Sequence, residues 1–266
     1  MKMVRKSWGW APGTWGELVQ GEQKGQRLLL SLPSSRGTFV QASLYPRTSR
    51  NPPVLCSHRR WKAQKAVQLL LEYFGETGIQ IRLRFKSVLQ VGIGNASSSA
   101  DMFGALRATL RVLKRYASPA LLCRIASTVE PTNPTIVSDA CLFDPDRGLI
   151  VGRGRLPKFQ VRPLSCGQPI DTIHARNRSP VWKDHERLEF SRILELLRTA
   201  IGQGSLRQIA DAATRSAFLH ADRHSRSDIC TAWTKSQKLG ALGIAVSHSG
   251  SSIVALLPPK EMVSHV

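Results

Sequence analysis

The sequence of 266 residues predicts a mixed α+β or α/β protein, because segments with strand periodicity and with helix periodicity occur in both of its halves. Gly78–Lys86 alternates between apolar and polar side chains, which is typical of a strand with one buried face. Trp61–Phe74 instead spaces its apolar residues three and four positions apart, as an amphipathic helix does. Hydrophobic residues make up 42% of the chain, so it can bury a core without disulfides or metals.

Five strands and three helices are predicted before residue 152. The strands are Gln26–Leu32, Thr38–Tyr45, Gly78–Lys86, Cys141–Phe143 and Leu149–Val151. A turn is expected at Pro33–Gly37, between the first two strands, because it is rich in Pro, Ser and Gly. The helices are Trp61–Phe74, a long helix that follows the loop Gln90–Ser99 and ends near Tyr116, and Pro119–Val129 behind the N-cap Ser118.

Gly152–Pro163 is interpreted as a connection between two domains, at residues 1–155 and 156–266. The elements predicted after it are the strand Ile170–His174, the helices Asp184–Ile201, Ser205–His220 and Ser227–Leu239, and the strands Leu242–Val246 and Ser252–Leu257. A Ser-His-Ser-Gly-Ser loop separates the last two strands.

The net charge of +20 at pH 7 is the most unusual feature of the composition. A basic chain can bind nucleic acid or another polyanion. However, no block of five or six like charges occurs, aromatic residues are only 6%, and no nucleic-acid-binding motif is present. A solvated basic surface is therefore favoured over a nucleic-acid face. Charge alone does not decide, since a basic field also attracts nucleotides.

The cysteines and apolar runs predict a soluble, cytoplasmic protein. The five cysteines are odd in number and contain no C-x-x-C pair, so neither a zinc site nor a disulfide framework is indicated. Reduced cysteines fit a cytosolic compartment. No apolar run approaches the ~20 residues of a membrane span, and no signal peptide is recognised.

The loop Gln90–Ser99 carries the clearest chemical signal. Its small residues would let the backbone approach a phosphate, and the start of the following helix offers N–H groups and a positive dipole end. It lacks the Gly-Lys-Ser/Thr of a Walker A loop, and Ser97 replaces the third glycine of G-x-G-x-x-G. The residues alone leave two interpretations, a phosphate-binding loop or an ordinary Gly/Ser connection.

Gly94–Ala100 resembles the second motif of the GHMP kinases, in the form found in the bacterial L-threonine kinases of cobalamin biosynthesis. Three further segments are similar in the same order: Ala11–Gly21, then Glu130–Thr132 with Leu142–Asp144, then Val246–Ser251. The resemblance implies a two-domain α+β fold, with an N-terminal ATP-binding α/β domain and a ferredoxin-like C-terminal domain. The chain ends nine residues after Leu257, so that second domain is expected to be shortened.

The resemblance also implies a kinase that uses ATP and Mg²⁺ to phosphorylate a small hydroxylated metabolite, with L-threonine favoured. ATP phosphates are expected on the loop residues Gly92, Gly94, Asn95, Ala96, Ser97, Ser98 and Ser99, Mg²⁺ on Ser98 and Glu130, and the acceptor near Glu17, Gln20, His248, Ser249 and Gly250. Read without the resemblance, Glu130 is a helix-end carboxylate, Glu17 an exposed acid and His248–Gly250 a polar hairpin. An acid is unfavourable at a helix C-terminus, which favours the metal role for Glu130.

One residue departs from the family pattern. Asn133 stands where the GHMP segment Glu-Pro-Thr-Asp has its aspartate, and an amide does not ionise. The catalytic candidates are therefore Asp139, Asn133 and Ser98, with Asp139 as the substitute base or no side-chain base at all. The alternatives are a GHMP-fold nucleotide-binding protein with impaired catalysis and a kinase for another metabolite such as homoserine.

His220 and His224 stand four residues apart without an H-E-x-x-H pattern, which predicts surface histidines at a helix end. A homodimer is left open.

Overall fold

The computed structural model describes residues 3–48, 51–137, 140–166, 180–248 and 251–259. The strands are β1 (Arg5–Gln23), β2 (Gln26–Pro46), β3 (Val54–Leu55), β4 (Ile79–Ser87), β5 (Ala140–Asp144), β6 (Leu149–Gly154), β7 (Gln160–Cys166), β8 (Gly243–Val246) and β9 (Ser252–Leu257). The helices are α1 (Trp61–Tyr73), α2 (Ser97–Leu113), α3 (Pro119–Val129), α4 (Asp184–Gln203), α5 (Leu206–Arg223) and α6 (Asp228–Lys238). The fold is thus mixed α+β, as predicted.

The sheet runs in the order β3-β4-β2-β1-β8-β9-β7, and β5 pairs with β2 and with β6. Strands β1 and β2 form a long antiparallel hairpin, closed at Lys24 and Gly25, which both have positive φ values (52° and 70°). The pairing shifts register between Pro12 and Val19. Glu17 lies among these irregularities. Within the described ranges it is also the only residue of β1 that pairs with β8, where its partner is Val246.

Helices cover the sheet and form the core with it. Helices α1 and α2 pack on β1, β2 and β4 around Phe103 and Phe143, both fully buried. Helix α2 approaches β1 so closely that a Cβ on Gly9 would lie 2.2 Å from the Gly104 carbonyl oxygen. A second cluster joins β1 and β2 to α4 and α5. Because that cluster draws on both halves of the chain, the boundary at residues 155 and 156 stays a prediction.

Most predicted elements are present, and α3 and β9 have the predicted bounds. The predicted strands Gln26–Leu32 and Thr38–Tyr45 are both present, but the turn predicted between them at Pro33–Gly37 is wrong, because β2 continues through that segment as it pairs along the length of β1. Three strands were not predicted: β1, which contains the first motif, β3, which has only two residues, and β7, which contains Pro163 and overlaps the predicted connection. The predicted strand Ile170–His174 and the shortened C-terminal end lie outside the described residues.

The described cysteines and helices bear on the expected absence of disulfides and of membrane spans. Cys56, Cys123, Cys141 and Cys230 are all free. None of the helices in the described ranges is both long and apolar enough to cross a membrane.

Candidate active site

An open cleft brings together four segments that are far apart in the sequence. They come from β1, the loop before α2, the segment after α3 and the loop after β8. The lining residues are Glu17, Gly92, Gly94, Asn95, Ala96, Ser97, Ser98, Ser99, Glu130, Pro131, Asn133 and His248.

The loop before α2 has a left-handed backbone at alternate residues. Gly92, Gly94 and Ala96 have φ values of 85°, 87° and 54°. The first two positions suit glycine, whereas at Ala96 the left-handed conformation costs energy that the fold must offset. The loop is held from both sides, since the Asn95 carbonyl accepts a hydrogen bond from Thr14 N (3.0 Å) and the Ile93 carbonyl accepts one from Ser252 N (3.2 Å). The first motif, through Thr14, and the start of β9, directly after the last motif, therefore anchor the loop.

Helix α2 begins at Ser97 and presents its N-terminus to the cleft. Within the described part of the chain, no side chain caps this end by a hydrogen bond. The first backbone N–H groups of a helix have no intrahelical acceptor, and the helix dipole adds partial positive charge there. Such an end binds anions such as phosphate, which is the role predicted for the loop.

The three consecutive serines have different surroundings. Ser99 is buried, and its hydroxyl oxygen accepts hydrogen bonds from Thr132 Oγ1 (2.7 Å) and Asn133 N (3.1 Å). It thereby ties the segment after α3 to α2. Ser98 is half-buried and lines the cleft. Its hydroxyl is therefore better placed than that of Ser99 to meet a ligand.

Glu130 ends α3 in the cleft and forms an ion pair with Lys62, near the start of α1. Its Oε2 accepts a hydrogen bond from Lys62 Nζ, while its buried Oε1 has no hydrogen-bond partner among the described residues. A buried carboxylate oxygen without a donor is costly unless a ligand satisfies it. Oxygen donors from a carboxylate and a serine are the kind that Mg²⁺ prefers. The residues present thus fit a magnesium ion.

Glu17 is almost fully buried, with 3% of its surface exposed, although it lines the cleft. Its Oε1 accepts a hydrogen bond of 2.6 Å from Asn133 Nδ2, which also donates to Ser31 Oγ at 2.9 Å. Its Oε2 has no partner within the described chain. Burial raises the pKa of Glu17 to about 8, partly offset by the hydrogen bond from Asn133. With a pKa of about 8, the Glu17 carboxyl is mainly protonated at neutral pH.

Gln20 lies behind His248, which lines the cleft. His248 Nδ1 is 2.6 Å from Gln20 Oε1, so this nitrogen carries the proton. Gln20 also donates to the Val246 carbonyl, at 3.5 Å. Behind them, the ring of His220 lies 4.4 Å from that of His224 and 6.2 Å from that of His248. Burial, followed by the nearby positive charges, lowers the pKa of His220 well below 6.5.

The structure assembles most of the predicted site residues. Asp139, Ser249 and Gly250 lie outside the described residues, and Gln20 lies one contact behind the cleft wall. The prediction of surface histidines was wrong for His220, which is 8% exposed, because α5 packs that side chain beneath the loop after β8. Lys62 was missed, since a lysine at the start of a helix carries no signal without its distant partner.

Known proteins similar to this chain include kinases. Residues 62–143 match the family of GHMP kinases N terminal domain. The L-threonine kinase of Citrobacter freundii is 24% identical over 255 residues, which are 92% of this chain and 84% of that protein.

Two solved structures resemble the fold. The homoserine kinase of Cytophaga hutchinsonii superposes with a TM-score of 0.68 at 16% identity, covering 99% of this chain and 89% of that one. The L. major mevalonate kinase has a TM-score of 0.67 at 15% identity, covering 98% and 89%. Residues 62–143 therefore match the N-terminal domain of the GHMP kinases, and the described fold resembles that of a homoserine kinase and of a mevalonate kinase.

Proposed function

We propose that this kinase transfers the γ-phosphoryl group of ATP to the β-hydroxyl of L-threonine, forming O-phospho-L-threonine. The observation that carries the proposal is Glu17 Oε2, which is buried at the cleft without a hydrogen-bond partner among the described residues. A carboxyl group held protonated by burial ionises when a cation arrives within about 4–6 Å. The ammonium group of an amino acid is such a cation, whereas mevalonate and galactose carry none.

The loop before α2 supports ATP as the phosphoryl donor. Its left-handed backbone and the uncapped start of α2 offer N–H groups to phosphate oxygens. Ser98 and Glu130 would hold Mg²⁺, which when bound neutralises charge on the phosphates. Lys62 pairs with Oε2 of Glu130 and leaves its Oε1 for the ion. The cleft thus has an anion-binding end at α2 and a cation-binding end at Glu17.

Asn133 acts in this arrangement as a positioning residue. Its amide nitrogen donates to both Glu17 and Ser31, so the side chain fixes the carboxyl group and accepts no proton from the acceptor. Phosphoryl transfer through a loose transition state needs little help from a base, because the hydroxyl loses its proton late. Positioning and charge neutralisation then carry the reaction, with Asp139 as the remaining candidate base.

The relatives support the same acceptor. The Citrobacter freundii relative is an L-threonine kinase, and the likeness to it covers most of both chains. A role in cobalamin biosynthesis and a cytoplasmic location belong to this proposal.

The test is an ADP-release assay with purified protein, ATP and Mg²⁺ across L-threonine, L-serine, L-homoserine, mevalonate and galactose. We expect L-threonine to give the highest kcat/KM. Preference for L-homoserine would overturn threonine but retain an amino-acid acceptor. Preference for mevalonate or galactose would overturn the role of Glu17. ATP binding without turnover of any acceptor would favour a protein with impaired catalysis.

A further inference from the structure

The face of the sheet opposite to α1 and α2 forms a second surface, away from the cleft. Paired residues on neighbouring antiparallel strands project to the same side. Val40, Ala42 and Leu44 of β2 belong to the core under the helices, so the residues between them face outward. Three rows then cross β1, β2 and β4 on the outer side: Lys6-Ser43-Arg82, Trp8-Gln41-Arg84 and Trp10-Phe39-Lys86.

This outer face exposes large aromatic rings. Trp8 is 48% exposed and Phe39 is 50% exposed, and Trp10 lies beside Phe39 with the ring centroids 6.3 Å apart. Tyr45, further along β2, lies beneath the guanidinium of Arg82 at 5.2 Å. Contiguous aromatic exposure of this kind marks an interaction surface.

The same face is basic and free of acids. Lys6, Arg82, Arg84 and Lys86 are all exposed. No Asp or Glu occurs at positions 26–46 or 79–87, which supply β2 and β4, or at positions 5–16, which supply the part of β1 on this face. The cations come from separate strands, so no block of like charges marks them in the sequence.

We propose that this basic aromatic face binds single-stranded RNA. Aromatic rings stack on unpaired bases, and the flanking cations contact the phosphates. RNA commonly presents unpaired bases, whereas DNA is mostly paired. The span from Phe39 to Tyr45 is roughly 20 Å at ~3.3 Å per residue, enough for the two or three stacked bases that a four-stranded RNA-binding sheet holds.

Charge argues against a second copy of the chain on this face. A two-fold dimer would place the same patch against itself. Arg82, Arg84 and Lys86 of both copies would then meet without acids on the face to pair them. The inference does not depend on the acceptor of the kinase, since the face lies outside the cleft.

The test measures binding of the full chain to a fluorescein-labelled single-stranded RNA 12-mer of mixed sequence by fluorescence anisotropy. We expect saturable binding with a slope of log K against log[salt] near −3, because four cations contribute about −0.7 each. The double variant Trp8→Ala, Phe39→Ala should weaken RNA binding by about tenfold or more, since base stacking is lost. Its binding to labelled heparin, a polyanion without bases, should stay unchanged.

Matched controls separate the face from general charge. Trp61→Ala removes a tryptophan of similar exposure on α1, under the opposite face of the sheet, and should leave RNA binding unchanged. Arg82→Gln, Arg84→Gln should flatten the salt slope, whereas Arg192→Gln, Arg215→Gln on α4 and α5 should not. Thermal unfolding of each variant verifies that it is folded.

Three outcomes would overturn the proposal. The first is equal loss of RNA and heparin binding in the aromatic variant, or no loss of either. The second is a wild-type dimer in sedimentation that the aromatic variant disrupts, which would assign the face to a second copy. The third is binding to phosphatidylserine vesicles that exceeds binding to RNA.

Discussion

Glu17 should make the protein less stable as the pH rises, and Glu17→Gln should abolish this effect. Burial raises the pKa of the folded-state carboxyl to about 8 from an ordinary value of 4.5. Between these two values the folded state holds a proton that the unfolded state has lost. The free energy of unfolding therefore falls with pH across that window, is unaffected by Glu17 below it, and has lost the full contribution above pH 8.

The size of the effect follows from the pKa difference. At about 1.36 kcal/mol per unit, the shift of Glu17 corresponds to an upper limit of about 5 kcal/mol between pH 4.5 and pH 8. The amide introduced by Glu17→Gln would keep an oxygen to accept the hydrogen bond from Asn133 but would not ionise. The stability of the variant relative to wild type should thus increase steadily with pH.

Urea denaturation at pH 5, 6, 7, 8 and 9, fitted by linear extrapolation, measures this difference directly. Glu72→Gln serves as the control, because Glu72 is exposed on α1 and should show a constant difference from wild type. A difference between Glu17→Gln and wild type that does not change with pH would refute the burial of a protonated Glu17.

The remaining predictions concern catalysis and packing. Ser98→Ala and Glu130→Gln should each lower kcat by roughly 10²-fold or more at unchanged thermal stability, as charge stabilisation of the phosphoryl group is lost; near-normal rates at saturating Mg²⁺ would exclude these roles. Asn133→Asp should slow the enzyme rather than speed it, because a second carboxyl would replace the donor that lies 2.6 Å from Glu17, and a faster variant in the ADP-release assay would instead support a base at this position. Gly9→Ala should lower the free energy of unfolding by at least ~1–3 kcal/mol, because its Cβ would overlap the Gly104 carbonyl; an unchanged urea midpoint would show that α2 can move away.

The sequence predicted the elements whose signals are local. Helix α3 has its bounds set by the N-cap Ser118, whose side chain accepts a hydrogen bond from Leu121 N, and by Pro131 after it. In β4, the alternation of apolar and polar residues indicates directly that one face of the strand is buried. In contrast, β2 runs through Pro33–Gly37 because it pairs with distant residues of β1, and no local signal reports that pairing.

The site was predicted to the extent that motifs mark it. The motifs located Glu17, Ser98, Glu130 and His248, and the fold brings all four to one cleft. The motifs could not indicate how deeply each side chain would be buried or what would surround it. The burial of Glu17, and its effect on the pKa of that carboxyl, arises from the packing of β1 against β8 and the segment after α3.

The most direct measurement of the central claim compares L-threonine with 3-hydroxybutyrate, its analogue without the amino group, as phosphoryl acceptors for wild type and for Glu17→Gln. Because Glu17 is proposed to bind the ammonium group, wild type should prefer L-threonine in kcat/KM by at least tenfold, as expected for a hydrogen-bonded charge pair in a buried site. The variant should lose most of that preference, mainly through a higher KM for L-threonine. Equal use of both acceptors by wild type, or an undiminished preference in Glu17→Gln, would contradict the account.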